Sequence, residues 1–316
     1  MPPARWRTLT LTLLQVLAVA AAYYVGGRIG LVQRVVVDGA MVTPLWPPTG
    51  IALACLLWLG PKVSSGIALG TYLAIERISS FDLPDLGIVA GNTLAPLCAY
   101  LMLRRVDFHL ELDRLRDGLA LVFLGGLLPM LISATAGTAT LVLTGDLTVP
   151  AALPVWAAWW AGDAMGVLVV TPLLLVLRRA RMPDDPVRVG EAMALGVVTV
   201  VVTLVATRSS LSLLFFVFPL LIWAAVRFQL AGSAPCTLFV SVMTISAAID
   251  RAGPFADRTL LEIMVNLQAL NGAAALTGLL LAALVTEQND IRERIELACE
   301  ELAEVVERLG PRKPAD

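Results

Sequence analysis

Charge is scarce in this chain. Only 15% of its 316 residues are Asp, Glu, Lys or Arg, where a soluble domain carries roughly 25%. Histidine is scarcer still: His109 stands alone, in a charged loop. The four cysteines, Cys55, Cys98, Cys236 and Cys299, show neither disulfide nor metal spacing. The first three fall in apolar runs and read as small apolar residues. These absences leave no metal site to propose and imply no cofactor. The net charge of −2 gives no reason to expect nucleic acid. No Ser/His or paired-Asp constellation stands out, so no catalytic residue is assigned and an enzyme is not expected. No kinase, cyclase or phosphodiesterase motif occurs.

Apolar residues are what the chain has in excess. Hydrophobic types make up 58% of it, and mean hydropathy is +0.82. Both values point to lipid as the solvent. A membrane helix needs about 20 apolar residues. Candidate spans lie near 9–27, 44–60, 65–75, 86–103, 118–143, 155–177, 192–206, 211–226, 231–249 and 260–285. The third is short, and the seventh and eighth are separated by only four residues. The expected fold is an all-α polytopic transmembrane bundle of eight to ten spans, ten preferred, with a C-terminal amphipathic or coiled-coil helix. Residues 1–286 form the membrane domain and 287–316 the tail. The basic start, Met1 to Arg7, runs into an apolar stretch without a clear cleavage site, so it is read as a retained first span.

Cations set the orientation. Arg5 and Arg7 precede the first span, Arg104, Arg105, Arg114 and Arg116 follow the fourth, and Arg178, Arg179, Arg181 and Arg188 follow the sixth. With ten alternating spans these loops share one side, which places both termini in the cytoplasm. The opposite loops hold fewer cations.

Ionisable groups inside spans are costly and usually face a protein interior or a wet cavity. Asp163 is the clearest, within Trp159-Trp160-Ala161-Gly162-Asp163. Glu76 and Glu262 are the other ionisable groups and Asn92, Asn266 and Asn271 the amides, with Ser133, Thr135 and Thr138 on the fifth span. Depth and orientation together gather most of them toward the outer face, which predicts a cavity open to the periplasmic side. The competing reading makes Glu76 and Glu262 interface residues and the amides interhelical bonds. Gly66 and Gly70 are four apart, as are Gly162 and Gly166, a spacing that lets helix backbones approach closely. Trp46-Pro47-Pro48 opens the second span, where a missing N–H costs nothing.

The tail carries Ile291, Ile295, Ala298, Leu302, Val305 and Leu309 at alternating spacings of four and three, an a/d seam. Leu281 and Leu284 continue its phase into the last span, so one helix can run from membrane to cytoplasm. Either it packs on its own protein or it forms a parallel homodimer. Gly310-Pro311 ends it.

Several blocks resemble a known family. Pro44 through Ala54 is similar to the opening signature of the membrane-associated sensor family of the first MASE type. Gly91-Asn92-Thr93-Leu94 resembles its next block, and Asp113-Arg114-Leu115-Arg116-Asp117 its loop before the fifth span. Trp159-Trp160 through Gly162-Asp163, then Gly166-Val167-Leu168 and Thr171-Pro172-Leu173-Leu174, resembles its most recognisable block. The likeness extends from about Leu11 to Val285. Where family members often carry an acidic residue after Asn-Thr-Leu, this chain has Ala95-Pro96. The resemblance implies a multi-pass sensory domain of the bacterial inner membrane, of a kind that usually precedes a histidine kinase, diguanylate cyclase or phosphodiesterase module. It marks Trp46, Pro47, Asn92, Trp160 and Asp163 for testing first.

The expected function is signal input. A small ligand or partner binds from the periplasmic side or within the membrane, and the tail relays the change to a separate kinase or cyclic-di-GMP partner. The candidate ligand or signalling residues are Trp46, Pro47, Pro48, Glu76, Asn92, Trp159, Trp160, Asp163 and Asn266. The alternative is a small-solute transporter or channel, since polar residues inside spans suit that role too.

Overall fold

The structure is a computed structural model. It describes the backbone of residues 3–37, 40–78, 81–179, 185–211 and 213–309, and side chains from residue 9 to residue 306 within those segments. The chain is almost entirely helical. Helix α1 (Pro3–Val32) leads into a short hairpin, β1 (Val35–Val37) and β2 (Ala40–Val42), paired antiparallel with Val35 opposite Val42. There follow α2 (Pro47–Leu59), α3 (Ser64–Ile75) and α4 (Leu86–Arg105). Helix α5 (Leu115–Ala120) continues into α6 (Met130–Thr144), and α7 (Ala152–Met165) into α8 (Thr171–Leu177). Then come α9 (Pro186–Arg208), α10 (Val217–Ile249) and α11 (Leu260–Leu309).

Two of these joins are π-helical: Leu121–Leu127 between α5 and α6, and Gly166–Val170 between α7 and α8. Each stands just before a proline, Pro129 or Pro172. Proline has no N–H and its ring collides with the carbonyl four residues back. A wider turn absorbs the misfit without ending the helix.

Among the described residues, seven helical stretches are long and apolar enough to cross a membrane, by length and composition. Helices α2 and α3 are shorter. Helix α10 is two arms rather than one rod. Gln229 has φ 47° and ψ −136°, outside helical geometry. The Ala224 carbonyl lies 3.1 Å from where a Cβ of Gly232 would sit. Eight residues of straight helix would separate them by about 12 Å. The chain therefore folds back at Gln229, and its arms match the expected eighth and ninth spans. With α2 and α3, the helical segments correspond to the ten read from the sequence. The β-hairpin was not among the expected elements.

The ends of the bundle can be told apart. Arg179 pairs with Glu111, bringing the loops after α4 and α8 together. The N–H of Leu115 donates to Glu287 of α11 (2.9 Å), so the last helix leaves the bundle at this same basic end. Helix α1 runs parallel to α3: Gly66 meets Val16, Gly70 meets Ala20 and Tyr23, and Ala74 meets Gly27. Arg178 lies over the Trp58 ring near the end of α2 (5.5 Å), so α3 starts at the basic end and the start of α1 lies there too. At the far end Gln33 donates to Ser246 (3.0 Å), and Gly253 sits against the Thr207 carbonyl.

Helices α1 and α9 present Leu9, Leu13, Leu17, Val197 and Val201 outward, each about half exposed or more. That surface suits hydrocarbon. With lipid as solvent, apolar burial gives little drive for association, and close packing through small residues supplies it. Gly66 and Gly70 seat α1 against α3, and Gly87 and Gly91 seat α4 against Thr140 and Ala136 of α6.

Candidate functional site

The start of α2 is docked on α7. The Trp46 N–H donates to the Gly162 carbonyl (3.0 Å). Pro47 and Pro48 follow at the first helical positions, where neither needs an N–H. A Cβ on Gly162 would strike the Thr43 carbonyl, and one on Gly166 the Trp46 carbonyl. A Cβ on Gly50 would strike the Gly166 carbonyl, and the Thr171 hydroxyl donates to the Gly50 carbonyl (3.0 Å). The Trp46 ring rests on Gly27 and Gly30 of α1. The two most recognisable sequence blocks are thus the two halves of one backbone contact.

That contact fixes Asp163, which is 1% exposed. One carboxylate oxygen accepts the Thr49 hydroxyl of α2 (2.6 Å), and the other accepts the Ser133 hydroxyl of α6 (2.5 Å). Three helices meet at one carboxylate. Among the described residues no cation pairs with it. Trp159, one turn earlier, lays its ring against Gly137 of α6.

Above Asp163 lies a cavity of about 380 Å³. Tyr23 of α1, Trp46, Thr71 of α3, Asn92 of α4, Trp159 and Asp163 line it, and the hairpin residues Ala40–Val42 form one wall. Asp85, just ahead of α4, and Asp146, just after α6, contribute from the end remote from the basic loops. The volume falls within the range of small-ligand sites.

The structure therefore brings Trp46, Asn92, Trp159 and Asp163 to one cavity and leaves the other candidates outside its lining. Pro47 and Pro48 shape the α2 start. Trp160 donates to the Leu127 carbonyl (2.7 Å), beside the π-helical turn, and stacks on Trp156 at 6.2 Å. Glu76 caps the exposed end of α3 and accepts the Phe81 N–H (3.3 Å). Asn266 is exposed on α11. Tyr23, Thr71, Asp85 and Asp146 were not anticipated. The Gly66/Gly70 spacing marks α3 as closely packed but does not say that α1 brings Tyr23 to it. Among the described residues no group of three His, Cys, Asp or Glu side chains could hold a metal ion.

Helix α11 touches this assembly at both ends. Gln268 donates to the Pro44 carbonyl (3.1 Å), two residues before Trp46. Met165 of α7 reaches to 3.9 Å from the Cβ position of Gly272, and the Glu287 contact to Leu115 closes the path at the basic end. Beyond it Ile291, Ile295, Leu302 and Val305 are exposed, at 52, 58, 64 and 49%. The Leu309 side chain and Gly310-Pro311 lie outside the described residues.

The family model for MASE1, membrane-associated sensor 1, matches residues 15–289, nearly the whole chain. The chain belongs to the MASE1 family. MASE1 is a membrane sensory domain of signalling proteins. The matched region holds the cavity, the α2–α7 contact and α11 as far as Asn289. The chain is accordingly a multi-pass membrane protein with a MASE1 sensory domain. No curated protein and no solved structure matches it.

Proposed function

We propose that this protein is a signal-input unit of the bacterial inner membrane, with both termini cytoplasmic. A small ligand enters the cavity from the periplasmic side, and α11 carries the consequence to a separate histidine kinase or diguanylate cyclase. The observation that carries this reading is the buried Asp163, which ties α2, α6 and α7 together at the cavity's floor. A ligand that reaches this carboxylate acts on three helices at once, and the Gln268–Pro44 contact links the neighbouring segment to α11. Occupancy shifts the output only to the extent that the ligand prefers one helix arrangement over another. The exposed apolar seam of α11 is the surface for a homodimer or an output partner.

The test joins a histidine-kinase core in register after residue 309 and measures autophosphorylation in proteoliposomes. Asn92→Trp, which fills the cavity, is expected to change the output severalfold at equal membrane abundance. An output indifferent to every cavity substitution removes the reading. Saturable solute flux through the same proteoliposomes would replace it with a transport function.

A further inference from the structure

The cavity is acidic and aromatic at once. Asp85, Asp146 and Asp163 contribute to its lining, together with Tyr23, Trp46 and Trp159, and among the described residues no Lys, Arg or His lines it. The two outer carboxylates are used locally, Asp85 accepting the Asp82 N–H (2.9 Å) and Asp146 the Thr144 hydroxyl (2.6 Å). None of the three is in an ion pair among the described residues. A carboxylate offers about four acceptor positions, so each keeps capacity after these bonds.

A separate observation points to a missing partner. Tyr23, 1% exposed, contributes to the lining, and its hydroxyl lies beside the Thr71 and Trp46 side chains without completing a well-formed hydrogen bond. The neighbouring Thr71 hydroxyl donates instead to the Ile67 carbonyl (3.0 Å). Buried polar groups are nearly always partnered, so an under-satisfied hydroxyl on a cavity-lining residue is available to a ligand's polar group.

We infer that the cavity takes a small organic cation, an ammonium or quaternary ammonium group on an apolar body. This deepens the signal-input reading and rests on it for what binding achieves. Aromatic faces attract such cations, most strongly where water is excluded. The carboxylates supply the countercharge, and Ile75, Ile88 and Leu141 accommodate the apolar part. An anion would meet only like charge here. A neutral molecule would leave the acidic lining without a counterion.

The test is equilibrium binding to the full chain in lipid nanodiscs. The probes are benzylammonium, benzyltrimethylammonium, benzyl alcohol and benzoate, which share a ring and differ in charge. Both cations are expected to saturate and to bind at least tenfold more tightly than the other two. Asp163→Asn is expected to weaken them at least tenfold. Should that variant fail to fold, Asp146→Asn is read instead, with a several-fold weakening expected. Tyr23→Phe is expected to weaken benzylammonium more than the quaternary probe, which has no N–H to offer. Equal or tighter binding of benzoate or benzyl alcohol, absence of saturation by either cation, or cation binding unchanged in both Asp variants overturns the inference. The kinase fusion separates this from the signal-input reading. Cation binding without any change in output removes signalling and leaves the cation site. An output altered by Asn92→Trp in a protein that binds neither cation leaves signalling and removes the cation site.

Discussion

Gly166 faces Trp46 with no room for a side chain: a Cβ there would run into the Trp46 carbonyl oxygen. Backbone cannot yield as a flexible side chain does, so α7 must move away from α2 to admit even a methyl group. Overpacking of this kind costs about 1–3 kcal/mol. Gly166→Ala is expected to destabilise the protein by that amount in an SDS titration of the folded, micelle-bound chain. Gly190→Ala is the control, because nothing lies within 4 Å of its Cβ position in α9. It should leave stability unchanged or raise it by about 0.5–1 kcal/mol, since alanine is the better helix former.

Thr49 and Ser133 hold opposite oxygens of the same buried carboxylate. Removing either hydroxyl leaves Asp163, a carboxylate only 1% exposed, with one donor fewer. Thr49→Val and Ser133→Ala should each cost about 1–3 kcal/mol. Both act on one group, so their effects should fail to add, by about 0.5 kcal/mol or more. A double-mutant cycle on unfolding free energy checks this. Simple additivity would mean that the two hydroxyls support the bundle independently of Asp163.

The helical plan was legible in the sequence because apolar length reports crossing directly. Even the two arms of α10 were separable, the break falling between 226 and 231, although nothing in the chain at Gln229 announces the reversal. The spacing of Gly162 and Gly166 correctly announced a close approach. What approaches was not readable, because the partner is the backbone of Thr43 and Trp46, and a carbonyl leaves no mark in sequence. The same limit governs the site. Asp163 stands out in an apolar run, whereas Tyr23 and Thr71 reach the cavity only through the pairing of α1 with α3. Depth along a helix does not give its facing: five residues apart on α11, Asn266 is exposed and Asn271 is buried. Trp160 stands outside the lining because its ring N–H donates to the carbonyl of Leu127, at a helix irregularity that sequence does not display.

Gln268 is where α11 grips the segment leading into Trp46. Gln268→Leu keeps the side-chain bulk and removes the donor. In the kinase fusion this substitution should change the response to cavity substitutions by about fivefold or more, the lower end of ordinary allosteric coupling. Glu287→Gln is expected to act more weakly, because an amide oxygen can still accept the Leu115 N–H. A Gln268→Leu fusion whose output still follows Asn92→Trp at full strength would place the relay elsewhere along α11.

The seam below the bundle tests how the signal leaves. Ile291, Ile295, Leu302 and Val305 are apolar and exposed on a helix of 50 residues, about 75 Å long at 1.5 Å per residue. In a heptad that places Ile295 and Leu302 at one core position and Ile291 and Val305 at the other, Glu300 falls on the far side. Cys299 lies close to the seam and is exposed, so the comparison is made in a Cys299→Ser background. In membranes treated with a mild oxidant, Ile295→Cys is expected to give a disulfide-linked dimer and Glu300→Cys little or none. Equal crosslinking at both positions would indicate random collision. Failure at Ile295 together with protection of the seam by a co-expressed kinase would mean that the output partner, rather than a second copy of this chain, covers the stripe.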